Sequence, residues 1–134
     1  MRTSFRIQIL YISLVMLFST SILAGTEHSD YTNYGSGSLS GTNDAGADNN
    51  TAIGQGAMSG DLTSAADGNT AIGYRALYSN TTGDNNTASG ANALYSNTTG
   101  YSNIASGYKA LYSNTAGDHN IASGYKTLYK NTTG

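Results

Sequence analysis

The feature that most limits what this chain can become is a repeat. Asn69, Asn86, Asn103 and Asn120 each open a copy of one design at a spacing of seventeen residues, and two earlier copies, 31–49 and 50–68, are nineteen residues long. Self-similarity at a fixed period describes stacked supersecondary units, each burying its apolar groups against the next, and not a globule with one central core. The copies 31–49, 50–68, 69–85, 86–102, 103–119 and 120–134 fill the chain from residue 31 onward. The last has fifteen residues, so the spacing predicts a repeat that continues past Gly134.

Within a copy, the segments Asn-Thr-Ala-Ile-Gly (residues 69–73) and Ala-Leu-Tyr-Ser (residues 76–79) are too short for helices and are bounded by Gly and Asn. They predict two short strands per coil. Asn-Thr-Thr-Gly-Asp at residues 80–84, echoed at 97–101, predicts a turn in which Gly83 or Gly100 takes positive φ. The expected fold class is all-β: a parallel β-roll or β-solenoid of about six coils, with equivalent residues stacked about 4.8 Å apart.

The period then assigns ladders. Leu39, Met58, Leu77, Leu94, Leu111 and Leu128 share one position, and Ala52, Ala71, Ala88, Ala105 and Ala122 another, so each coil is expected to turn one large and one small apolar group inward. That is a thin interior for seventeen ordered residues, and association of several columns supplies the missing buried surface. The residues flanking the recurrent Ala, namely Thr51/Ile53, Thr70/Ile72, Thr87/Ser89, Ile104/Ser106 and Ile121/Ser123, point to the opposite side of a strand from it. Four of these five coils keep an Ile, which makes Ile53, Ile72, Ile104 and Ile121 the candidate oligomer interface, with a wider internal core as the alternative.

The residues before the repeats read as an address. Arg2 and Arg6 precede an apolar run at 7–18, and the small polar residues Ser19, Thr20 and Ser21 lead into Leu23-Ala24-Gly25, the layout of a helical secretory signal peptide over 1–24 with a short linker at 25–30. The remaining chain carries four basic residues (Arg75, Lys109, Lys126, Lys130) against eight acidic ones, a net charge of −4, which disfavours nucleic acid as a partner. There is no Cys, so disulfides and thiolate metal sites are excluded.

The Asn-Thr-Ala-Ile-Gly half, at residues 50–54 and 69–73, resembles the head repeats of YadA-like trimeric autotransporter adhesins, whose Ser-Val-Ala-Ile-Gly segments build a left-handed parallel β-roll. The longer Ala-Leu-Tyr-Ser-Asn-Thr-Thr-Gly half is similar to repeats of bacterial and phage fibre proteins. The resemblance implies a left-handed roll, a homotrimer and a location at a bacterial cell surface, with any membrane attachment made by a region that this chain does not contain.

Candidate sites follow from the ladders. Tyr78, Tyr95, Tyr112 and Tyr129 form a file of rings one coil apart, the candidate adhesive ladder for host matrix proteins or glycans; Tyr74, Tyr108 and Tyr125 form a second position. Stacked rings also stabilise a coil by themselves, and that plainer role stands beside the adhesive one. Asn80, Asn97, Asn114 and Asn131 predict an amide ladder between coils. Arg75, Lys109 and Lys126 share one outward position, expected to be a solvated stripe. The acids of the first half, Asp44, Asp48, Asp61 and Asp67, lack the spacing of a calcium loop and predict a solvated acidic end. His28 and His119 are the only imidazoles, and with no Cys and no Ser in a nucleophile-elbow context no catalytic, cofactor or metal set is assigned. The expected function is that of an adhesin head, with a passive fibre spacer as the alternative and an ice-binding solenoid as a weak third, since Thr81 and Thr82 are adjacent in a turn.

Overall fold

The computed structural model describes residues 32–35, 38, 47–63 and 65–134. The expected signal peptide, the linker and Leu39 lie outside the described residues. Six strands of three residues each form one parallel sheet in chain order: β1 (Thr32–Tyr34), β2 (Thr51–Ile53), β3 (Thr70–Ile72), β4 (Thr87–Ser89), β5 (Ile104–Ser106) and β6 (Ile121–Ser123). The register is the repeat itself, with Ala52 opposite Ala71, Ala71 opposite Ala88, Ala88 opposite Ala105 and Ala105 opposite Ala122. From β2 to β6 the backbone completes four turns of a β-solenoid, and no helix occurs among the described residues.

Each turn has one strand and not two. The Ala-Leu-Tyr-Ser segment is a pair of consecutive tight turns, closed in the third copy by Ala76 N–H to Gly73 O (3.3 Å) and Asn80 N–H to Leu77 O (3.3 Å). Leu77, Leu94, Leu111 and Leu128 all have φ 50°, and Met58 has φ 48°. A left-handed conformation costs an L-residue about 1–2 kcal/mol. Two gains offset it: each Leu up to Leu111 is fully buried, and its N–H bonds the next turn, as in Leu77 to Ala93 O and Leu94 to Ala110 O, both 3.0 Å. The turns are therefore laddered in their second half as in the first, without β conformation.

The expected glycine geometry is also corrected. Gly83 and Gly100 do not have positive φ; among the glycines that do are Gly54, Gly73, Gly90, Gly107 and Gly124, just after each strand, and the position before each opening Asn, occupied by Asn49, Gly68, Asn85, Ser102 and His119, is also positive. Gly83 is required for space. A Cβ there would sit 2.5 Å from the Asn80 carboxamide oxygen and against the Gly100 carbonyl.

The interior is fuller and more polar than one Leu and one Ala per coil. A second buried alanine column, Ala57, Ala76, Ala93 and Ala110, runs beside the expected one. Two asparagine ladders complete it, with Asn50, Asn69, Asn86 and Asn103 in one and Asn80, Asn97 and Asn114 in the other, all fully buried. Asn86 shows how a carboxamide survives there. Its Nδ2 donates to Asn69 Oδ1 (3.2 Å) and to Gly100 O (2.8 Å), while its Oδ1 accepts from the N–H and Nδ2 of Asn103. Asn97 Nδ2 donates to the same Gly100 O (2.8 Å) and to Asn80 Oδ1 (3.0 Å), so one carbonyl per turn ties the two ladders together. Buried polar groups are tolerable only when satisfied in this way.

Candidate functional site

The strands present their flanking residues outward. Ala is buried at the centre of each strand from β2 to β6, and Ile53, Ile72 and Ile104 are 37%, 43% and 46% exposed, which removes the alternative that they widen the internal core. Ile121, on the last described strand, is also exposed. The four Ile thus lie on one outer sheet face, in two adjacent rows: Ile53 and Ile72 pair across β2 and β3, and Ile104 and Ile121 across β5 and β6.

Immediately after each strand the chain passes Gly73, or its equivalent, and reaches the tyrosine edge. Tyr78, Tyr95, Tyr112 and Tyr129 stack as a continuous file with centroids 5.0–5.1 Å apart and interplanar angles of 3°, 7° and 16°. Such spacing is what one coil of rise imposes, and each pair contributes about 0.5–1.5 kcal/mol beyond its buried area. The second file is interrupted: Tyr108 and Tyr125 stack at 5.4 Å, but Ala91 separates them from Tyr74.

Between the files lie the cations. Arg75 Cζ is 5.1 Å from the Tyr74 ring centroid and 5.2 Å from that of Tyr78. Lys109 Nζ is placed likewise on Tyr108 (5.3 Å) and Tyr112 (5.2 Å), and Lys126 Nζ on Tyr125 (5.1 Å) and Tyr129 (5.9 Å). The stripe is therefore braced on aromatic rings and not merely solvated, and Asn92 breaks it between Arg75 and Lys109. The Lys109 pKa is raised above the ordinary lysine value, chiefly by a side-chain hydrogen bond with Tyr108, against a smaller opposing effect of burial.

Of the acids expected at a solvated end, Asp44 lies outside the described residues and Asp61 is exposed, while Asp67 has a specific backbone partner. Asp48, Asp67, Asp84 and Asp118 share the coil position two residues before the opening Asn or its neighbour, at the other end of the strand from the tyrosines. Asp67 Oδ1 accepts the Asp48 N–H (2.8 Å) and Asp118 Oδ1 accepts the Tyr101 N–H (3.0 Å), so these carboxylates cap the adjoining turn. His119 has φ 58° and meets Tyr101 edge to face at 5.0 Å. The Thr81, Thr98 and Thr115 hydroxyls each donate to a carbonyl one turn on, at 3.0, 3.0 and 3.2 Å, which leaves the threonine array committed to the backbone.

Reading the residues one at a time missed the opening Asn ladder and the aromatic bracing of the cations. The first had a usable signal: Asn recurs at residues 50, 69, 86, 103 and 120, while the residue before it changes freely among Asn, Gly, Ser and His. No family model matches the chain, and no curated protein or solved structure matches it significantly.

Proposed function

We propose that this chain is a secreted, bacterial surface protein whose repeats form the head of an adhesin: a left-handed roll, trimeric through the Ile face, that attaches to host or environmental surfaces and carries no catalytic site. The supporting observation is the ordered repetition of one exposed edge. Tyr rings recur turn after turn at a fixed spacing, with a cation beside them in three of the turns, on a backbone braced by two internal amide ladders. Many weak contacts at fixed spacing raise the effective concentration for each later contact. The exposed Ile rows on a neighbouring face favour association of three copies, because apolar side chains in that number gain more from burial than from water. Residues 1–24 serve as the secretory signal in this proposal. A passive fibre spacer is the second reading, favoured by the ring stacking and cation contacts, which account for the tyrosines without any ligand.

One experiment separates the two and tests the trimer. The purified chain, sized by sedimentation, is applied to surfaces coated with matrix proteins and with glycans, beside a variant carrying Ile72→Asp, Ile104→Asp and Ile121→Asp. The parent is expected to sediment as a trimer and to be retained. The triple variant is expected to be monomeric and to lose most retention, since unpartnered carboxylates cannot be buried in the interface. A variant that stays trimeric at unchanged stability contradicts the Ile interface, and a parent retained on no surface leaves the spacer.

A further inference from the structure

Resting on the adhesive reading above, we infer that the tyrosine edge binds a linear anionic polymer, a glycan bearing carboxylate or sulfate groups, laid along the solenoid axis and held by Arg75, Lys109 and Lys126.

Ring geometry closes the continuous tyrosine file to the more obvious ligand. Aromatic side chains usually hold sugars by their faces, but in the Tyr78, Tyr95, Tyr112 and Tyr129 file each inner face is covered by the next ring at 5.0–5.1 Å. What the file offers along its length is ring edges and hydroxyls, which donate hydrogen bonds to anionic oxygens. The cations complete the surface. Each is braced between two rings, within 5.1–5.9 Å of their centroids, so less side-chain freedom is lost when it meets an anion.

Charge placement gives the edge its direction. The three cations sit just after the strands, whereas Asp67, Asp84 and Asp118 sit before them, engaged at Asp67 and Asp118 with the backbone of the adjoining turn. The repeat region is net negative, and three of its four cations, all but Lys130, lie on this edge, which draws an anionic chain to it. Lys109 and Lys126 are one turn apart, a spacing set by the sheet at about 4.8 Å, and Arg75 stands two turns before Lys109. A polymer with a charge on each unit can meet all three without bending.

The test uses the full chain with four immobilised probes: polygalacturonate and heparin as anionic polymers, dextran and cellulose as neutral ones. Retention on the anionic pair, falling with added salt, is expected, with none on the neutral pair. Lys109→Gln together with Lys126→Gln should weaken retention roughly tenfold. Asn92→Lys should strengthen it several-fold by filling the gap in the stripe; Asn92 has φ 57° and Lys109 φ 56°, so the backbone already accommodates Lys there. That gain cannot arise from misfolding. Equal retention on neutral probes, or indifference to both variants, overturns the anionic ligand while leaving adhesion in place. Retention on no probe and on no matrix protein overturns both.

Discussion

Asn86→Asp is expected to destabilise the solenoid by about 3–5 kcal/mol at neutral pH, although it changes a single NH2 to O. The side chain is fully buried, and both amide hydrogens are used, one on Asn69 Oδ1 and one on Gly100 O. A carboxylate of the same shape would face both of those oxygens without a proton, and would place a charge where no cation lies on the ladder. Its acceptor side, toward Asn103, would survive. The sign of the pH dependence follows. Burial and facing oxygens raise the folded-state pKa of the introduced carboxyl above its unfolded value of about 3.9. The variant is then nearest the parent below that value, and its deficit grows as pH rises toward the raised folded pKa. Denaturant melts of parent and variant between pH 3 and pH 8 measure this directly; a deficit independent of pH would mean that loss of hydrogen bonds alone, and not buried charge, dominates.

Gly90→Ala should be nearly as damaging for a different reason. Gly90 has φ 142°, which side chains rarely adopt, and an added Cβ would lie 2.6 Å from both the carbonyl carbon and the oxygen of Gly107 in the next turn. Those atoms belong to a backbone hydrogen-bonded on to its neighbours, so they can yield only by opening the stack. Overpacking of this kind costs about 1–3 kcal/mol, and the strained φ adds about 1–3 kcal/mol more. In a linear stack the damage is local. The expected result is a broadened or split melt, with amide hydrogen exchange fastest in β4 and β5, because cooperativity in a solenoid passes only through nearest neighbours. A single sharp transition at the parent's midpoint would show that the turns are not in such close contact.

How much of this was legible in the residues differs by element. The period itself carries the parallel register, since a slip of one residue would place Ala71 against Thr87 or Ser89; β3 and β4 pair accordingly, with Ala71 opposite Ala88. The inward Ala and Leu columns and the Asn80 ladder follow from the same arithmetic. The second half of each turn was misjudged as a strand because Leu77 and its equivalents adopt a left-handed φ that their intrinsic preferences oppose, and only contacts with the next turn stabilise it. The burial of Asn86 and its equivalents is not legible from residue type, because it depends on partners one turn away. The tyrosine file was visible as a spacing, but the closure of its ring faces, which decides the kind of ligand the edge can take, needed the angles between rings. The cation bracing likewise joins two positions within a turn that no sequence period relates.

In a stacked solenoid equivalent residues are neighbours along the axis, and paired spin labels measure that most directly. The chain has no Cys to interfere, and Thr99, Ala116 and Thr133 are exposed at one coil position away from both the Ile face and the tyrosine files. Labels at Thr99 and Ala116, diluted into unlabelled chain to suppress contacts between copies, should lie about 5 Å apart at the backbone, and labels at Thr99 and Thr133 about 10 Å apart. Strong dipolar broadening for the first pair and weaker broadening for the second is the predicted result. A flexible chain would separate the first pair by roughly 20–25 Å over the same seventeen residues, and the absence of broadening in that pair would contradict the stacked solenoid.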